Sequence, residues 1–546
     1  MSKSNLSSLL TLSVELVHLI FDYLDTRTIL LSLGYVCPRL RAITNTYERL
    51  ILNFRSISKS DFHHMCRIVR PENVISLILS NDDETPGQIE LFLSLFDTRQ
   101  FIRLRSLTVF AIEDDNLNRI LNHAIHNSLI SLSIERSHFS NHPSTTLNIL
   151  SSAMSRPTLR KFKCTIDWLL SDSFIWPRES NIKHLTIDRC TYKQFCTILR
   201  HLSQLRTIVL RSFNLDIHNE YEYQSTSYPQ LISLSMGRLF LSMDKIESFL
   251  CLTPSLVHLR LEGSADDAIF NDSRWEKLIR TKLPSLNRFD FCFRSQNRRV
   301  IELSAIQFRT PFWLNEKHWP INCVYDDIME EVLLCSTPDF ITRLEYNFNG
   351  PVVISTTIQN ICNGQSSQYF FRRIVELELS QYLLDSLHFT SKLVDFSQVM
   401  ELRILLSDRQ KFISKTQEQL INLLKETNHI RSLKILFEHG SIIDFLLIEN
   451  ICSLVPHHVK HLDIEAKTLA DIYLIIERLQ HLSSITFRRL PFSLLPVTEW
   501  NTQLKRDVVY RYNQDSLHIW LDKSPTEGNR TETFEKATCL CDTLKS

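Results

Sequence analysis

Apolar residues recur along most of the chain in a short pattern whose first, fourth and sixth positions are apolar. The first copy is VISLIL at residue 74, and further copies start at residues 104, 129, 159, 182, 205, 231, 256, 286, 341, 374, 399, 430, 459 and 482. Most starts are 23 to 33 residues apart, with one longer step of 55 residues. Alternation of apolar and polar positions is typical of a strand with one buried face, so each copy predicts a strand.

Helical patterns occupy the intervals between these strands. In residues 114–126, for example, Leu117, Ile120 and Leu121 are spaced to lie on one face of a helix. A strand, a crossover and a second parallel strand are connected with a right-handed sense in nearly all proteins. The chain is therefore predicted to be an α/β protein, in which parallel strands form the concave side of a solenoid and helices form its convex side.

The repeated pattern resembles that of leucine-rich repeat proteins, whose units are about 20 to 29 residues long. The unit containing Ile182, Leu185 and Ile187 matches the longer repeat motif, because Cys190 stands where those proteins carry Asn or Cys. The resemblance implies an irregular right-handed leucine-rich-repeat-like solenoid over residues 55–520 that binds a protein partner. The polar residues 521–546 are predicted to form a disordered tail.

The first residues have a different, helical pattern. In VELVHLIFDYL, which starts at residue 14, Leu16, Ile20 and Leu24 lie on one helical face, and the following residues contain a second and a third short helical pattern. Three short helices are too small to bury their own apolar surface. Either the remainder of the chain or another protein must cover it, and in the first case the helices simply cap the repeats.

This opening segment, residues 8–54, resembles an F-box. The resemblance rests on LSVELVHLIFDYLDTRTILLSLGYVCPRLRAI, with Ser13 in place of the usual Pro and Leu40 in place of the common Trp. It implies a substrate-recognition subunit of a cullin-based ubiquitin ligase of the SCF type. The F-box would bind a Skp-type adaptor, and through it a cullin, while the solenoid would bind a target protein. The implied adaptor-binding residues are Leu12, Leu16, Ile20, Phe21, Leu24, Ile29, Leu33, Val36, Cys37 and Leu40.

Two other classes of function stay open at this stage. One is a leucine-rich-repeat scaffold that binds proteins without a ligase link, its first helices acting only as a cap. The other is an enzyme whose site lies in the aromatic-rich, irregular residues 291–335, where alternation at Ile321, Cys323 and Tyr325 predicts a strand. Trp313 and Trp319 in that segment are interpreted as core residues rather than ligand contacts, and we expect no enzymatic activity.

Composition narrows the choice of partners. Lys plus Arg and Asp plus Glu are 61 residues each, so the formal net charge is zero and no nucleic-acid partner is indicated. The eight glycines are isolated from one another, whereas nucleotide-binding loops need clustered glycines. We therefore expect no cofactor. We also expect no metal, since Cys539 and Cys541 lack the second pair of ligands that a complete zinc site needs.

Cysteine usage and the amino terminus predict the compartment. Thirteen cysteines are scattered over the chain, and polar residues such as Glu15 and Asp22 interrupt the first apolar stretch. No secretory signal peptide or membrane-spanning run is therefore predicted, and we expect an intracellular protein, cytoplasmic or nuclear, with reduced thiols.

The polar positions inside the repeated pattern predict a charge difference along the concave face. Basic or imidazole side chains occur there in the first half of the solenoid and acidic ones in the second half. The predicted target-binding residues are Lys161, Lys163, His184, His258 and Arg260, followed by Glu376, Glu378, Glu401 and Asp463. Such a field orients a partner and speeds encounter.

Overall fold

A computed structural model of the chain shows two β-sheets with helices packed against them. It describes residues 11–124, 129–135, 144–165, 174–214, 227–265, 267–295, 308, 310–319, 321–326, 331–336, 343–345, 376–380, 397, 399–406, 415–427, 429–437, 445–466, 468–489, 508–513 and 516–521. Residues 522–546, which are predicted to be part of a disordered tail, lie outside these ranges.

The first sheet has twelve strands, and its first ten are parallel and follow chain order. These strands are β1 Leu50–Asn53, β2 Val74–Ser80, β3 Ser106–Phe110, β4 Ser131–Glu135, β5 Lys161–Cys164, β6 His184–Thr191, β7 Thr207–Asn214, β8 Ser233–Leu241, β9 His258–Ala265 and β10 Arg288–Ser295. The last two are β11 Asn322–Asp326 and β12 Glu331–Cys335.

The second sheet has eight strands and begins in the same way. Its members are β13 Arg343–Glu345, β14 Glu376–Ser380, β15 Glu401–Leu406, β16 Ser432–Phe437, β17 His461–Glu465, β18 Ser484–Arg488, β19 Val508–Asn513 and β20 Ser516–Leu521. Strands β13 to β18 are parallel neighbours in chain order. All fifteen copies of the sequence pattern are therefore strands of a parallel ladder, which confirms a long solenoid-like parallel sheet.

The repeated pattern determines the register of neighbouring strands. Leu107 of β3 pairs with Leu132 of β4, which pairs with Phe162 of β5, and the apolar positions continue in register through the sheet. These stacked side chains are buried in one continuous core. Since side chains alternate between the faces of a strand, the intervening polar positions form the opposite, concave face.

Helices connect most of the strands. They are Val14–Phe21, Pro38–Thr46, Lys59–Ile68, Gln88–Leu95, Asp114–Ala124, Ser144–Met154, Tyr192–His201, Met243–Leu250, Asp272–Lys282, Lys415–Glu426, Phe445–Leu454 and Leu469–Arg478. The structure also contains two π-helical segments, Thr28–Leu33 and Phe312–Glu316, and a short turn of helix at Gly34–Val36. Helix Leu469–Arg478 begins with a capping box, in which the side chains of Thr468 and Asp471 each accept a bond from the other's backbone N–H.

Both sheets end in an antiparallel hairpin that the repeat pattern did not indicate. Strand β12 pairs antiparallel with β10 and with β11, and β20 does so with β18 and β19. The strand predicted around Ile321, Cys323 and Tyr325 is β11, so that prediction is confirmed. Because β11 and β12 run antiparallel, neither is a further copy of the parallel repeat.

The carboxyl-terminal hairpin packs against the beginning of the solenoid. The indole Nε1–H of Trp520 donates to the carbonyl of Ile57 at 2.8 Å, and the ring lies edge-on to Phe62 with centroids 5.6 Å apart. Arg511 donates to the carbonyl of Asn81 and lies 3.8 Å from a carboxylate oxygen of Glu113. Residues more than 400 positions apart in sequence thus form one buried contact.

Two predicted boundaries need correction. Strand β1, at residues 50–53, lies inside the range assigned to the F-box, yet it pairs with β2 and is the first strand of the solenoid. Leu521 was assigned to the tail but is a fully buried residue of β20. Both errors arise because neither strand carries the repeat pattern. Each strand is recognised only by its hydrogen bonds to a neighbouring strand.

Candidate functional site

The opening helices are held to one another by a small aromatic core and by polar contacts. Phe21 and Tyr47 are buried and pack edge to face, with ring centroids 5.4 Å apart. The Tyr47 hydroxyl donates to Asp22 at 2.8 Å. Burial, followed by the charge of Asp22, raises the pKa of the Tyr47 hydroxyl, so it stays protonated and remains a donor.

The junction between the helices and the first strand is also bonded directly. The Thr26 hydroxyl is buried, donates to the carbonyl of Ile51 at 2.6 Å and accepts from the Ile51 N–H at 3.1 Å. Arg27 pairs with Asp61 on helix Lys59–Ile68 at 2.6 Å. These contacts fix the orientation of the opening helices on the edge of the sheet.

One face of these helices has no cover from the described chain. Leu16 is 48% exposed, Leu19 53%, Ile20 37% and Leu24 36%. Single exposed apolar residues are common on proteins, but contiguous groups of them mark interaction surfaces. We name the exposed apolar residues of this segment the apolar helix face; Leu16, Leu19 and Ile20 share one side of helix Val14–Phe21, and Tyr23, Leu24, Tyr35 and Val36 are exposed in the residues that follow.

The structure divides the predicted adaptor-binding residues into three groups. Leu16, Ile20, Leu24 and Val36 are exposed. Leu12, Leu33 and Cys37 are half-buried and pack against the core.

Phe21, Ile29 and Leu40 are buried in the chain's own core, so the prediction that they offer a binding surface is corrected. Their neighbours Val17 and Ile43 share that core and leave them no route to a partner in this conformation. The predicted adaptor-binding set did not include three further exposed residues, Leu19, Tyr23 and Tyr35. Their large apolar side chains at helical spacing were the signal that the sequence offered.

The concave face of the first sheet is polar and accessible. Lys161, His184, His258 and Arg260 are exposed there, as predicted from their positions in the pattern. Lys161 pairs in register with His184 on the next strand. Partial burial, with the neighbouring charges of Lys161 and Lys183, lowers the pKa of His184, so this imidazole is neutral at pH 7.

Acidic residues interrupt the positive character of this face. Lys163 lies 2.5 Å from Glu135, which also has Arg211 at 3.5 Å. Glu262 lies beside Arg260 at 3.9 Å. Cations still outnumber anions in the contacts around β5 to β7, because Glu135 lies beside two cations, Lys163 and Arg211.

Basic residues oppose the predicted negative charge around Glu401 and Asp463 in the second sheet. Glu401 is half-buried between Lys434 at 2.8 Å and Arg403 at 3.0 Å. These cations oppose the effect of burial, and the net result is a lowered pKa of the Glu401 carboxyl. At Glu401 the predicted negative charge is thus neutralised by Arg403 on the same strand and by Lys434 on the adjacent strand β16.

Asp463 is buried and accepts two bonds from the Arg488 guanidinium, both at 2.7 Å, so it cannot contact a target in this conformation. Glu376 and Glu378 pair in register with Glu401 and Arg403 on β15, and their side chains lie outside the described residues.

The aromatic-rich segment is part of the core. Trp313 is fully buried among Phe289, Phe308 and Phe312, and the half-buried Trp319 packs against the same cluster. Across the part of the chain that the structure describes, no three His, Cys, Asp or Glu residues are grouped so that they could hold a metal ion.

A cavity under β2 and β3 is lined by Leu77, Leu79, Phe92, Thr98, Phe101, Leu104, Leu107 and Ile120. None of these lining residues has a titratable side chain, so the cavity is interpreted as a packing defect of the core.

Within the described ranges no helix has both the length and the apolar character needed to cross a lipid bilayer.

Comparisons with known proteins do not identify a family for this chain. No protein-family model matches the chain, and no curated protein matches it. Among solved structures, the leucine-rich repeat-containing protein LegL7 from Legionella pneumophila is similar, at 14% identity over 79% of this chain and 96% of that one, with a TM-score of 0.19. The repeat architecture of this chain therefore rests on its own sheet topology.

Proposed function

We propose that the chain is the substrate receptor of a cullin-based ubiquitin ligase of the SCF type. The single observation that carries the proposal is the apolar helix face, which is rigidly mounted on the solenoid and left uncovered by the described chain. Its position coincides with the segment that resembles an F-box. The receptor performs no bond chemistry itself and acts by bringing a target close to a ubiquitin-charged enzyme, which raises the effective concentration of the target.

The apolar helix face is suited to bind a Skp-type adaptor. Fully burying one Leu or Ile side chain contributes about 1.5–3 kcal/mol, so a few of these residues would dominate the affinity. Val14, Leu16, Leu19 and Ile20 lie on one helix, and Tyr35 and Val36 extend the surface to the following turn of helix. The adaptor would in turn recruit a cullin scaffold, inside the cell and in the cytoplasm or nucleus.

A capture experiment tests this step. The purified chain is mixed with a tagged Skp-type adaptor, and the double variant Leu16→Asp and Ile20→Asp is compared with Leu95→Asp. Leu95 is also 48% exposed and lies on helix Gln88–Leu95, away from the opening helices, so it controls for adding charge at an exposed leucine. We expect the double variant to lose capture and Leu95→Asp to retain it. Equal capture by both variants would reject the proposed surface.

For the target we propose the concave face of the first sheet. Lys161, His184, His258 and Arg260 are exposed there, whereas Asp463 in the second sheet is not. A target with an acidic segment complements the cations near β5. Lys161→Glu should slow target capture without altering adaptor capture, and an unchanged rate would remove this residue from the target surface.

A scaffold without a ligase link is the second candidate. It is favoured by the burial of Phe21, Ile29 and Leu40, because these residues show that the opening helices also cover the end of the solenoid core. The adaptor capture experiment separates the two candidates, since a pure cap has no affinity for the adaptor.

A further inference from the structure

Two cysteines face each other directly across the antiparallel pair of β10 and β12. Cys292 and Cys335 are register partners, both are buried, and both are thiols in the structure. They form a small cluster of their own, separate from the two main cores. Cysteines brought together in this way are placed for chemistry with each other.

The hydrogen bonds of the ladder show which kind of pair they form. The Ser336 N–H donates to the carbonyl of Phe291 at 3.0 Å, so Phe291 and Ser336 occupy a hydrogen-bonded position. Antiparallel ladders alternate, and Cys292 with Cys335 therefore occupy the next, non-hydrogen-bonded position. Cα atoms at such positions are about 4.5 Å apart, which falls within the range that disulfides span.

The pair lies on the concave face. Phe291 and Phe293 point into the main core, so Cys292 between them points to the other side. Glu262 is its register partner on β9, and Glu262 is half exposed. Solvent and small oxidants would therefore reach the two buried sulfurs from this side, beside Glu262.

We propose that Cys292 and Cys335 are a redox-sensitive pair that forms a disulfide under peroxide and so fixes the hairpin of β11 and β12 to the last parallel strand of the first sheet. The proposal is independent of the ligase assignment, because it rests on strand pairing alone.

The reaction balances with hydrogen peroxide as the oxidant. One thiol loses its proton and the thiolate attacks a peroxide oxygen, so that the O–O bond breaks and a sulfenic acid forms; the hydroxide that leaves takes up the proton and becomes water. The second sulfur attacks the first, the S–O bond breaks, and a second water leaves as the S–S bond forms. The two thiols lose two electrons and two protons in total, and a thiol reductant reverses the reaction.

The expected rate is slow near neutral pH. Burial raises the pKa of the Cys292 thiol to about 12, and the thiolate is the reactive form. The rate should therefore rise between pH 7 and pH 9.

The experiment treats the full chain with hydrogen peroxide at pH 7 and pH 9, alkylates the remaining thiols after denaturation, and digests with trypsin. We expect peptide FDFCFR, which contains Cys292, to be linked to the peptide of residues 318–343. Because that peptide also contains Cys323, the digestion is repeated with Cys323→Ser. Dithiothreitol should release the link, and the oxidised chain should melt several degrees higher than the reduced chain.

Two internal controls keep the result interpretable. Cys251 is exposed and reports that peroxide reached the protein, while Cys190 and Cys196 are buried thiols on a strand and its following helix that should not be linked to each other. Cys292→Ser should abolish both the link and the rise in melting temperature. Full oxidation of Cys251 with both Cys292 and Cys335 still alkylated, or a link through Cys323 instead, would overturn the proposal.

Discussion

The two sheets are built from the same repeated pattern, yet their concave faces differ in accessibility. In the first sheet the polar positions of β5 and β9, such as Lys161 and His258, are exposed. In the second sheet every residue of β17 and β20 is buried, on both faces. The pattern therefore determines that a strand forms and which side faces the helices, but it does not determine whether the other side is free.

The difference arises from the contact between the two ends of the solenoid. His461 of β17 lies 3.4 Å from Glu84, and His518 of β20 lies 3.4 Å from Asp83, both in the segment after β2. Trp520 inserts beside Phe62 at the same junction. The first repeats thus cover the end of the second sheet, which leaves the first sheet as the accessible face.

Removing the indole at this junction should have the largest effect. Trp520→Ala deletes a fully buried side chain and its bond to the Ile57 carbonyl, so we expect a loss of about 3–5 kcal/mol in the free energy of unfolding. Trp319→Ala is the matched control, because Trp319 is only half-buried and also donates to a carbonyl. Denaturation by urea measures both. A smaller loss for Trp520→Ala than for the control would show that the two ends do not support each other.

Breaking the buried ion pair in the second sheet should have an intermediate effect. Asp463→Asn weakens the bidentate contact with Arg488. We expect a loss of about 1–2 kcal/mol in the free energy of unfolding, since Arg488 is partly exposed. Urea denaturation of the variant measures it. An unchanged free energy of unfolding would indicate that Asp463 is solvated and available to a target.

The histidines at the junction predict a pH dependence. Burial lowers the pKa of His461 and of His518, and the nearby carboxylates only partly oppose this. The unfolded chain therefore binds more protons than the folded chain as the pH falls below about 6.5, and the free energy of unfolding decreases in that window.

The double variant His461→Gln and His518→Gln should flatten this slope between pH 7 and pH 5. Thermal unfolding across that range measures it, with His258→Gln as the control because His258 is exposed. An unchanged slope in the double variant would contradict the account of the junction.

The smallest effect is expected on the open face of the first sheet. Lys163→Met removes a partly exposed ion pair with Glu135, and Arg211 remains near the carboxylate. We expect a change of about 0.5 kcal/mol or less in the free energy of unfolding. A loss above about 2 kcal/mol in urea denaturation would mean that this face is as buried as that of the second sheet.

The repeated pattern was sufficient to predict the repeating strands. It did not predict the hairpins that end each sheet or the contact between the two ends of the chain. Apolar side chains at fixed spacing predicted every strand from β2 to β10 and from β13 to β18. Strand β1 and the two terminal hairpins carry no copy of the pattern and depend on pairing with a neighbour. The contact of Trp520 with Ile57 depends on how the curvature accumulates along the ladder, which no local pattern encodes.

The candidate site was predicted in part for a similar reason. Helical spacing located the apolar residues of the first helix but did not say which of the adjacent Ile20 and Phe21 faces inward. Phe21 is buried because Tyr47 supplies an aromatic partner for its ring, while Ile20 has none. Likewise, the acidic positions of the second sheet were recognised, but the pairing of Glu401 with Lys434 and of Asp463 with Arg488 on neighbouring strands follows only from the register.

Hydrogen–deuterium exchange with and without a Skp-type adaptor tests the central claim most directly. The account predicts that backbone amides of Val14–Phe21 and Thr28–Val36 become protected when the adaptor binds, while those of β17 and β20 are unchanged. Protection confined to the concave strands, or none at the opening helices at saturating adaptor, would contradict the assignment of this surface.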